Sequence, residues 1–305
     1  MKHIFLVWLL CLSILHAKSV EEIAQEAHIA SINTLLIFTS QEGLNSGLYH
    51  FSEVGADMEV YHLPFTYHFE SDTNINYFIV GNVGYSRVFI SDDVEIPPNS
   101  RLDYDNHLRT YTGGLGGGVR YKFSSGFSIS GGLELIYSKS GASVKKPDDD
   151  TGEAIEDFFN QNYNDNLSYE AFANLEYRPT INEYKPYVVL TYKTYETKST
   201  FNFDELNSFK SDSTIWTLSL GVESAKLMAF EKNYITLEGY YHANYLDGNV
   251  KEVVKFDTYN TLGGVAYFYT PGGPWWASRF FLELSTVQSS GLEGYNVGVG
   301  FSLDF

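Results

Sequence analysis

The stretch EGYNVGVGFSLDF, residues 293–305, alternates apolar residues with small or polar ones without a break. Its apolar positions are Tyr295, Val297, Val299, Phe301, Leu303 and Phe305. Successive side chains of an extended chain point to opposite faces, so this period of two predicts a β-strand with one apolar face. We expect the strand to be paired on both edges, because an unpaired edge invites association with the wrong partner.

The same alternation recurs along the rest of the chain. Ten further segments show it: 57–70, 76–90, 106–123, 127–138, 167–178, 184–200, 212–224, 233–246, 255–270 and 276–288. With the final segment they make eleven predicted strands, and the weaker pattern of 29–40 is interpreted as a twelfth. A chain built almost entirely from such segments is predicted to be all-β.

The connections and the polar faces indicate which kind of β protein this is. Short turns at 71–74, 124–126, 180–183 and 271–274 alternate with longer acidic segments at 92–105, 143–166 and 202–210, although 225–232 and 289–293 depart from the rule. The polar face is rich in Gly, Ser, Thr and Asn, which suit a concave interior. We therefore predict a transmembrane antiparallel up-and-down β-barrel of 12 strands over residues 32–305, with the short turns and both chain ends in the periplasm.

The first residues and the net charge indicate where the protein is located and which partners it can bind. Residues 1–19 have a basic start, an apolar run and small residues before a cleavage point, the pattern of a cleaved signal peptide. The single cysteine, Cys11, lies inside this segment. Removing Lys2 and Lys18 leaves 18 Lys and Arg against 38 Asp and Glu, a net charge of −20. Nucleic acid is therefore excluded as a partner, and we expect location in the outer membrane of a Gram-negative bacterium.

Two features resemble known outer-membrane proteins. The tail positions Val297, Val299, Phe301, Leu303 and Phe305 are similar to the C-terminal signal that the barrel-assembly machinery recognises, which implies this machinery as a partner. The size and strand number resemble the translocator domain of autotransporters, here as a solitary barrel without a passenger. That resemblance implies a helix inside the lumen for the N-terminal segment 20–31; a short periplasmic tail is the alternative.

Charged residues of both signs fall on the predicted inward face. They are Glu134, Glu170, Glu176, Arg178, Lys185, Lys193, Glu238, His242, Arg279 and Glu283. Across the turn at 180–183, we expect Glu176 to approach Lys185 and Glu170 to approach Lys193. Balanced charge favours a narrow or plugged lumen, whereas a selectivity filter for solutes is the alternative.

Arg87 and Arg109 lie on the predicted outward face, on both sides of the segment 92–105. Cations at that depth could contact the phosphates of lipopolysaccharide, and we hypothesise such a contact with outer-membrane lipid. The alternative is that both side chains only extend into the aqueous layer above the bilayer.

No catalytic or metal-binding group emerges from the sequence, and no cofactor is predicted. The segment YHANY (241–245) lacks a serine two residues after His242, and His62 and His68 are too far apart on one strand to share a metal. His107 and Asp103–Asp105 are a generic acidic loop pattern. The favoured function is a structural or surface-interaction barrel; a porin-like channel and an outer-membrane hydrolase remain as alternatives.

Overall fold

The computed structural model describes residues 44–52, 55–69, 72–96, 100–123, 126–144, 163–201, 208–271 and 278–302. Within these ranges the chain forms thirteen β-strands and one short helix, α1 (Asn249–Val254). The strands are β1 (Leu44–Phe51), β2 (Ala56–His68), β3 (Ile75–Ile96), β4 (Ser100–Lys122), β5 (Phe127–Val144), β6 (Tyr163–Tyr177), β7 (Lys185–Phe201), β8 (Phe209–Glu223), β9 (Met228–Phe230), β10 (Asn233–Gly248), β11 (Thr258–Tyr269), β12 (Arg279–Gln288) and β13 (Leu292–Ser302).

All the strands except β9 form one closed antiparallel barrel of twelve strands. Neighbours in the chain are neighbours in the ring, and β1 closes the ring by pairing with β13, from Leu44 opposite Val299 to Phe51 opposite Leu292. Every strand of the ring is therefore hydrogen-bonded on both edges, which a bilayer demands of backbone that contacts lipid. The predicted all-β, twelve-stranded barrel is confirmed.

The prediction that 29–40 supplies the twelfth strand is wrong. The strand β1 takes that place, with β2 on one edge and β13 on the other, so the ring has no gap for a further strand. The alternation in β1 is hard to recognise because Leu48 points outward while Tyr49 and Phe51 point inward, leaving apolar residues on both faces. Residues 29–40, the predicted signal peptide 1–19 and the predicted lumenal segment 20–31 lie outside the described residues.

The connection 225–232 departs from the short-turn pattern because it contains a strand of its own. The short strand β9 pairs with Asn233–Ile235 of β10 after a bulge that follows β8. Only Glu231 and Lys232 remain at the tip, and Glu231 has a positive φ of 56°. The hairpin is therefore tight, as hairpins with a two-residue loop are.

The barrel has two distinct ends. At one, which we call the turn end, the chain passes from β2 to β3, from β4 to β5, from β6 to β7, from β8 to β10 and from β11 to β12. At the other, the loop end, it passes from β1 to β2, from β3 to β4, from β5 to β6, from β7 to β8, from β10 to β11 and from β12 to β13. The predicted loop 92–105 is mostly strand, since β3 and β4 remain paired as far as Ile96 and Ser100. It forms a hairpin that extends the sheet at the loop end.

The two faces of the ring differ in chemistry. Large apolar side chains cover the outside, among them Leu115, Leu133 and Leu262, which are 62%, 67% and 64% exposed. The inside of the barrel holds small hydroxyl side chains that are fully or almost fully buried: Ser86, Thr110, Ser138, Ser140, Ser168, Thr197 and Ser199. Such exposed apolar area on a monomer is explained by lipid contact, so this is the fold of an outer-membrane β-barrel.

Inward aromatic rings lie over glycines of the neighbouring strand. The directly opposed pairs are Tyr49–Gly294, Phe78–Gly118, Phe172–Gly132, Tyr187–Gly221, Tyr240–Gly263 and Phe281–Gly300. A Cβ atom at Gly132, for example, would come within 2.6 Å of the Phe172 ring. Glycine at these positions therefore makes room for rings that fill the interior.

Candidate functional site

The interior of the barrel brings the predicted lumenal residues together. Along each strand they alternate with exposed apolar side chains, so they face inward: Glu134, Glu170, Glu176, Lys185, Lys193, Glu238, His242, Arg279 and Glu283. Arg178 follows β6 directly and contacts the inward-facing Glu176, with Nε 2.9 Å from Oε1. All ten positions thus contribute to the inner wall.

A compact ion cluster lies in the middle of the wall, between β3 and β7. Lys193 Nζ is 3.0 Å from Oε1 of Glu170, the pairing that the sequence predicts. Glu134 lies directly opposite Glu170 on the neighbouring strand and accepts a hydrogen bond from the Asn82 amide. The two adjacent carboxylates therefore have different partners, Lys193 for Glu170 and Asn82 for Glu134.

The predicted approach of Glu176 to Lys185 is wrong. Glu176 is opposite Val189 on β7, four residues along the strand from Lys185. It binds Arg120, which reaches across from β4, and Arg178. Lys185 instead contacts Glu223 of β8, its direct cross-strand partner, with Nζ 3.1 Å from Oε2. The acidic partner of Lys185 therefore lies on β8, on the other side of β7 from β6.

Tyrosine hydroxyls donate hydrogen bonds to three inward-facing carboxylates, those of Glu223, Glu238 and Glu283. Tyr187 and Tyr267 both donate to Glu238, at 2.6 and 3.1 Å. Tyr269 donates to Glu223 at 2.8 Å, and Tyr240 donates to Glu283. These tyrosines, together with Arg120 and Glu223, are not among the lumenal residues predicted from the sequence. Their position on the inward face could have been found from the same alternation.

A polar cavity of about 520 Å³ occupies the half of the barrel bounded by β7 to β12. Its charged lining includes Arg178, Lys185, Lys193, Arg279, Glu223, Glu238 and Glu283. Towards the loop end its lining becomes apolar with Ile215, Tyr259 and Val287, which belong to a larger hydrophobic cluster. The cavity therefore meets apolar packing on the side of the loop end.

That cluster, which we call the lumenal plug, lies on the inner side of the barrel towards the loop end. Its buried members come from most of the ring: Tyr49, Phe51, Ala56, Met58, Val60, Val88, Leu108, Ile136, Tyr195, Ile215, Leu246, Val250, Val254, Phe256, Tyr259, Val287 and Leu292. Val250 and Val254 lie on α1, at 0% and 3% exposure, so the short helix packs on the plug. Side chains from eleven of the twelve strands of the ring thus belong to one buried cluster.

His242 lies in the cavity wall with a simple set of contacts. Its Nδ1 is 2.7 Å from the Ser219 hydroxyl, and its ring stacks on Tyr240 with centroids 4.5 Å apart. Within the described residues, no group of three or more His, Cys, Asp or Glu side chains is arranged to hold a metal ion. The described helix is too short to cross a membrane.

The outward arginines lie side by side. Arg87 on β3 and Arg109 on β4 are directly opposed cross-strand partners, and they point away from the lumen. Of the predicted tail positions, Val297, Val299 and Phe301 are exposed on the outer face of β13. Leu303 and Phe305 lie outside the described residues.

Comparisons with known proteins show similarity of fold. No protein-family model matches the sequence, and no curated protein matches it. Among solved structures, the translocator domain of autotransporter NalP from Neisseria meningitidis has a TM-score of 0.57 at 13% identity, covering 93% of this chain and 97% of that one. The β domain of the Bordetella autotransporter BrkA has a TM-score of 0.53 at 10% identity, covering 85% and 97%.

A third structure, the transport unit of the autotransporter AIDA-I from Escherichia coli, has a TM-score of 0.45 at 7% identity, covering 90% of this chain and 98% of that one, and is too dissimilar to support an argument. Identities this low establish the architecture alone. At that level the predicted resemblance is confirmed: the chain has the fold of an autotransporter translocator barrel.

Proposed function

We propose that this protein is an outer-membrane barrel closed to solutes, with a structural or surface-interaction role. The observation that carries the proposal is the lumenal plug, which joins inward side chains of β1–β5, β7, β8 and β10–β13 in one buried core. Met58, Leu246 and Leu292 in it are each 1% exposed. An apolar layer packed at the density of a protein interior admits no column of water. On this proposal, ions therefore have no path through the plug.

The orientation of the barrel supports a surface role. In outer-membrane barrels the tight turns lie in the periplasm and the larger connections lie outside the cell. By this rule the plug and the β3–β4 hairpin belong to the cell surface. Beyond the opposed pair Tyr85–Tyr111, the hairpin continues from Ser86–Thr110 to Ile96–Ser100, eleven further residue pairs. At about 3.3 Å per residue this is long enough to project well beyond the apolar band.

We infer further that the barrel is not an enzyme. Among the described residues, the imidazole of His242 lies 2.7 Å from the Ser219 hydroxyl, which places a base beside a candidate nucleophile. A working pair needs a third group that orients the imidazole, and the described contacts of His242 supply only the Tyr240 ring. The hydrogen bond between His242 and Ser219 is explained by the need of buried polar side chains for a partner.

Export and assembly follow from the same proposal. We expect cleavage of the signal peptide 1–19 and recognition of the C-terminal strand by the barrel-assembly machinery. Val297, Val299 and Phe301 support this, since they present a continuous apolar row on the outside of the closing strand.

The test is single-channel conductance in planar bilayers. Residues 20–305 are refolded and compared with a variant that lacks 20–31, and folding is checked by the heat-dependent shift of the band in gel electrophoresis. We expect no conductance from either protein, because the plug is made of the barrel's own side chains. Steady conductance of the 20–305 protein would overturn the proposal and favour a channel. Conductance only after the deletion would assign the closure to the N-terminal segment instead.

A further inference from the structure

The outer surface of β2, β3 and β4 carries a row of tyrosines at one height. Tyr61 is opposite Tyr85, and Tyr85 is opposite Tyr111. Their ring centroids are 6.2 and 5.1 Å apart. On the side of the turn end the outward residues are apolar, including Leu63 and Val83. Aromatic girdles mark the boundary between hydrocarbon and headgroups, so this row marks the edge of the apolar band.

Two residues beyond the row, towards the loop end, the same strands carry charges. Glu59, Arg87 and Arg109 are consecutive cross-strand neighbours on the outer face. Two residues of strand advance about 7 Å, which places the three side chains at the level of lipid headgroups. Arg109 is exposed, and the guanidinium of Arg87 lies 4.3 Å above the ring of Phe89.

The two arginines lack a protein counter-charge sufficient for both. Directly opposed residues have Cβ atoms about 5 Å apart, and like charges in such positions repel. In the described part of the chain, neither guanidinium forms an ion pair with an acidic side chain. Moreover, Arg87 Nε is buried and has no hydrogen-bond partner. Glu59 alone lies beside Arg87, so the row carries an excess positive charge.

We propose that Arg87 and Arg109 together bind a phosphate group of lipopolysaccharide in the outer leaflet. Two planar guanidinium groups side by side can donate several hydrogen bonds to one phosphate. A bound phosphate offsets the repulsion between the two guanidinium groups. The choice of the outer leaflet rests on the orientation given under the proposed function.

The test measures lipopolysaccharide binding to the refolded protein in detergent, by native mass spectrometry and by thermophoresis with a fluorescent lipopolysaccharide. The variant is Arg87→Gln/Arg109→Gln. The matched control is Lys139→Gln/Lys198→Gln, which removes the same charge from exposed outward positions of β5 and β7. Lys139 is already opposite Asp165 and lies 3.6 Å from the Tyr163 ring centre. Both variants are checked for the folded band in gel electrophoresis.

We expect at least tenfold weaker binding for the arginine variant and little change for the lysine control. Dephosphorylated lipopolysaccharide should bind the unmodified protein as weakly as the arginine variant binds the intact lipid. Equal binding by the arginine variant and the unmodified protein would overturn the proposal. So would an equal loss in the lysine control, or equal affinity for phosphatidylglycerol. The assay does not depend on conductance, so its outcome is separate from that of the closed-lumen proposal.

Discussion

Lys193 and Glu170 form an ion pair across β6 and β7, with Nζ 3.0 Å from Oε1 and side chains that are 22% and 4% exposed. Glu134 is the direct neighbour of Glu170 on β5. The lysine therefore pairs with one of two carboxylates that are direct cross-strand neighbours in the lumen. Removal of one member of a buried ion pair is costly, because the remaining charge stays buried without compensation.

Substitution Lys193→Met should destabilise the folded barrel by about 3–5 kcal/mol, because it leaves buried carboxylates unpaired. The measurement is equilibrium unfolding in urea with lipid vesicles present, followed by tryptophan fluorescence. The double variant Lys193→Met/Glu170→Gln should recover much of this loss, since the second change removes the orphaned charge. If Lys193→Met were as stable as the unmodified protein, the site would be so hydrated that the Lys193–Glu170 ion pair does not contribute to stability.

Gly118→Ala should destabilise the barrel by about 1–3 kcal/mol through overpacking. A Cβ at this position would meet the Phe78 ring, with Cε2 at 2.8 Å. The control is Gly239→Ala, where the added Cβ has no atom within 4 Å. Alanine there should be neutral or slightly stabilising, because glycine in a strand carries an entropic cost. The same urea unfolding assay measures the stability of both variants. Similar losses of stability for Gly118→Ala and Gly239→Ala would contradict the packing argument.

Tyr240→Phe should weaken folding by about 1–3 kcal/mol, because Glu283 loses a donor in a site where its side chain is buried. Its neighbour Tyr241 provides the comparison, as it faces outward and donates to Asn260 at an exposed position. We expect Tyr241→Phe to have less than half of that effect. If the urea midpoint of Tyr241→Phe were lower than that of Tyr240→Phe, water would replace the Tyr240 hydroxyl at Glu283 without cost.

A single-cysteine experiment tests which end of the barrel faces outside. The only cysteine, Cys11, is in the predicted signal peptide, so an added cysteine is unique in the predicted mature protein. Ser100→Cys, at the loop end of β4, should react on intact cells with a maleimide that cannot cross membranes. Thr73→Cys, at the turn end, should react only after the outer membrane is permeabilised. The opposite pattern would invert the orientation.

Polar substitutions in the lumenal plug should create conductance. Leu246 and Val250 are 1% and 0% exposed, and Val250 belongs to α1. The variant Leu246→Ser/Val250→Asn hydrates and loosens the layer, so we expect brief channel openings in planar bilayers where the unmodified protein shows none. Leu284→Ser, on the lipid-facing side of β12 and 58% exposed, is the control and should remain silent. Silence of both folded variants would indicate a second closure.

Local patterns in the sequence were sufficient for most of the strands. The sequence also predicted which side chains face the lumen and which face outward. The outward face of each strand must be apolar, and with a period of two this allows only one assignment of the side chains to the two faces. The pairing of Glu170 with Lys193 also followed, since both residues belong to strands joined by a single short turn. Even the short strand β9 is consistent with this logic once the bulge before it is recognised.

Tertiary structure alone decided where the ring closes and which charges meet. The place of β1 depends on hydrogen bonds to β13, more than two hundred residues away, and its own sequence has apolar residues on both faces. The partner of Lys185 came from β8 rather than β6, because a strand in a barrel has two neighbours and the local register chooses between them. The lumenal plug is decided in the same way. Its apolar residues, scattered from Tyr49 to Leu292, become one buried cluster only when the ring brings their strands together.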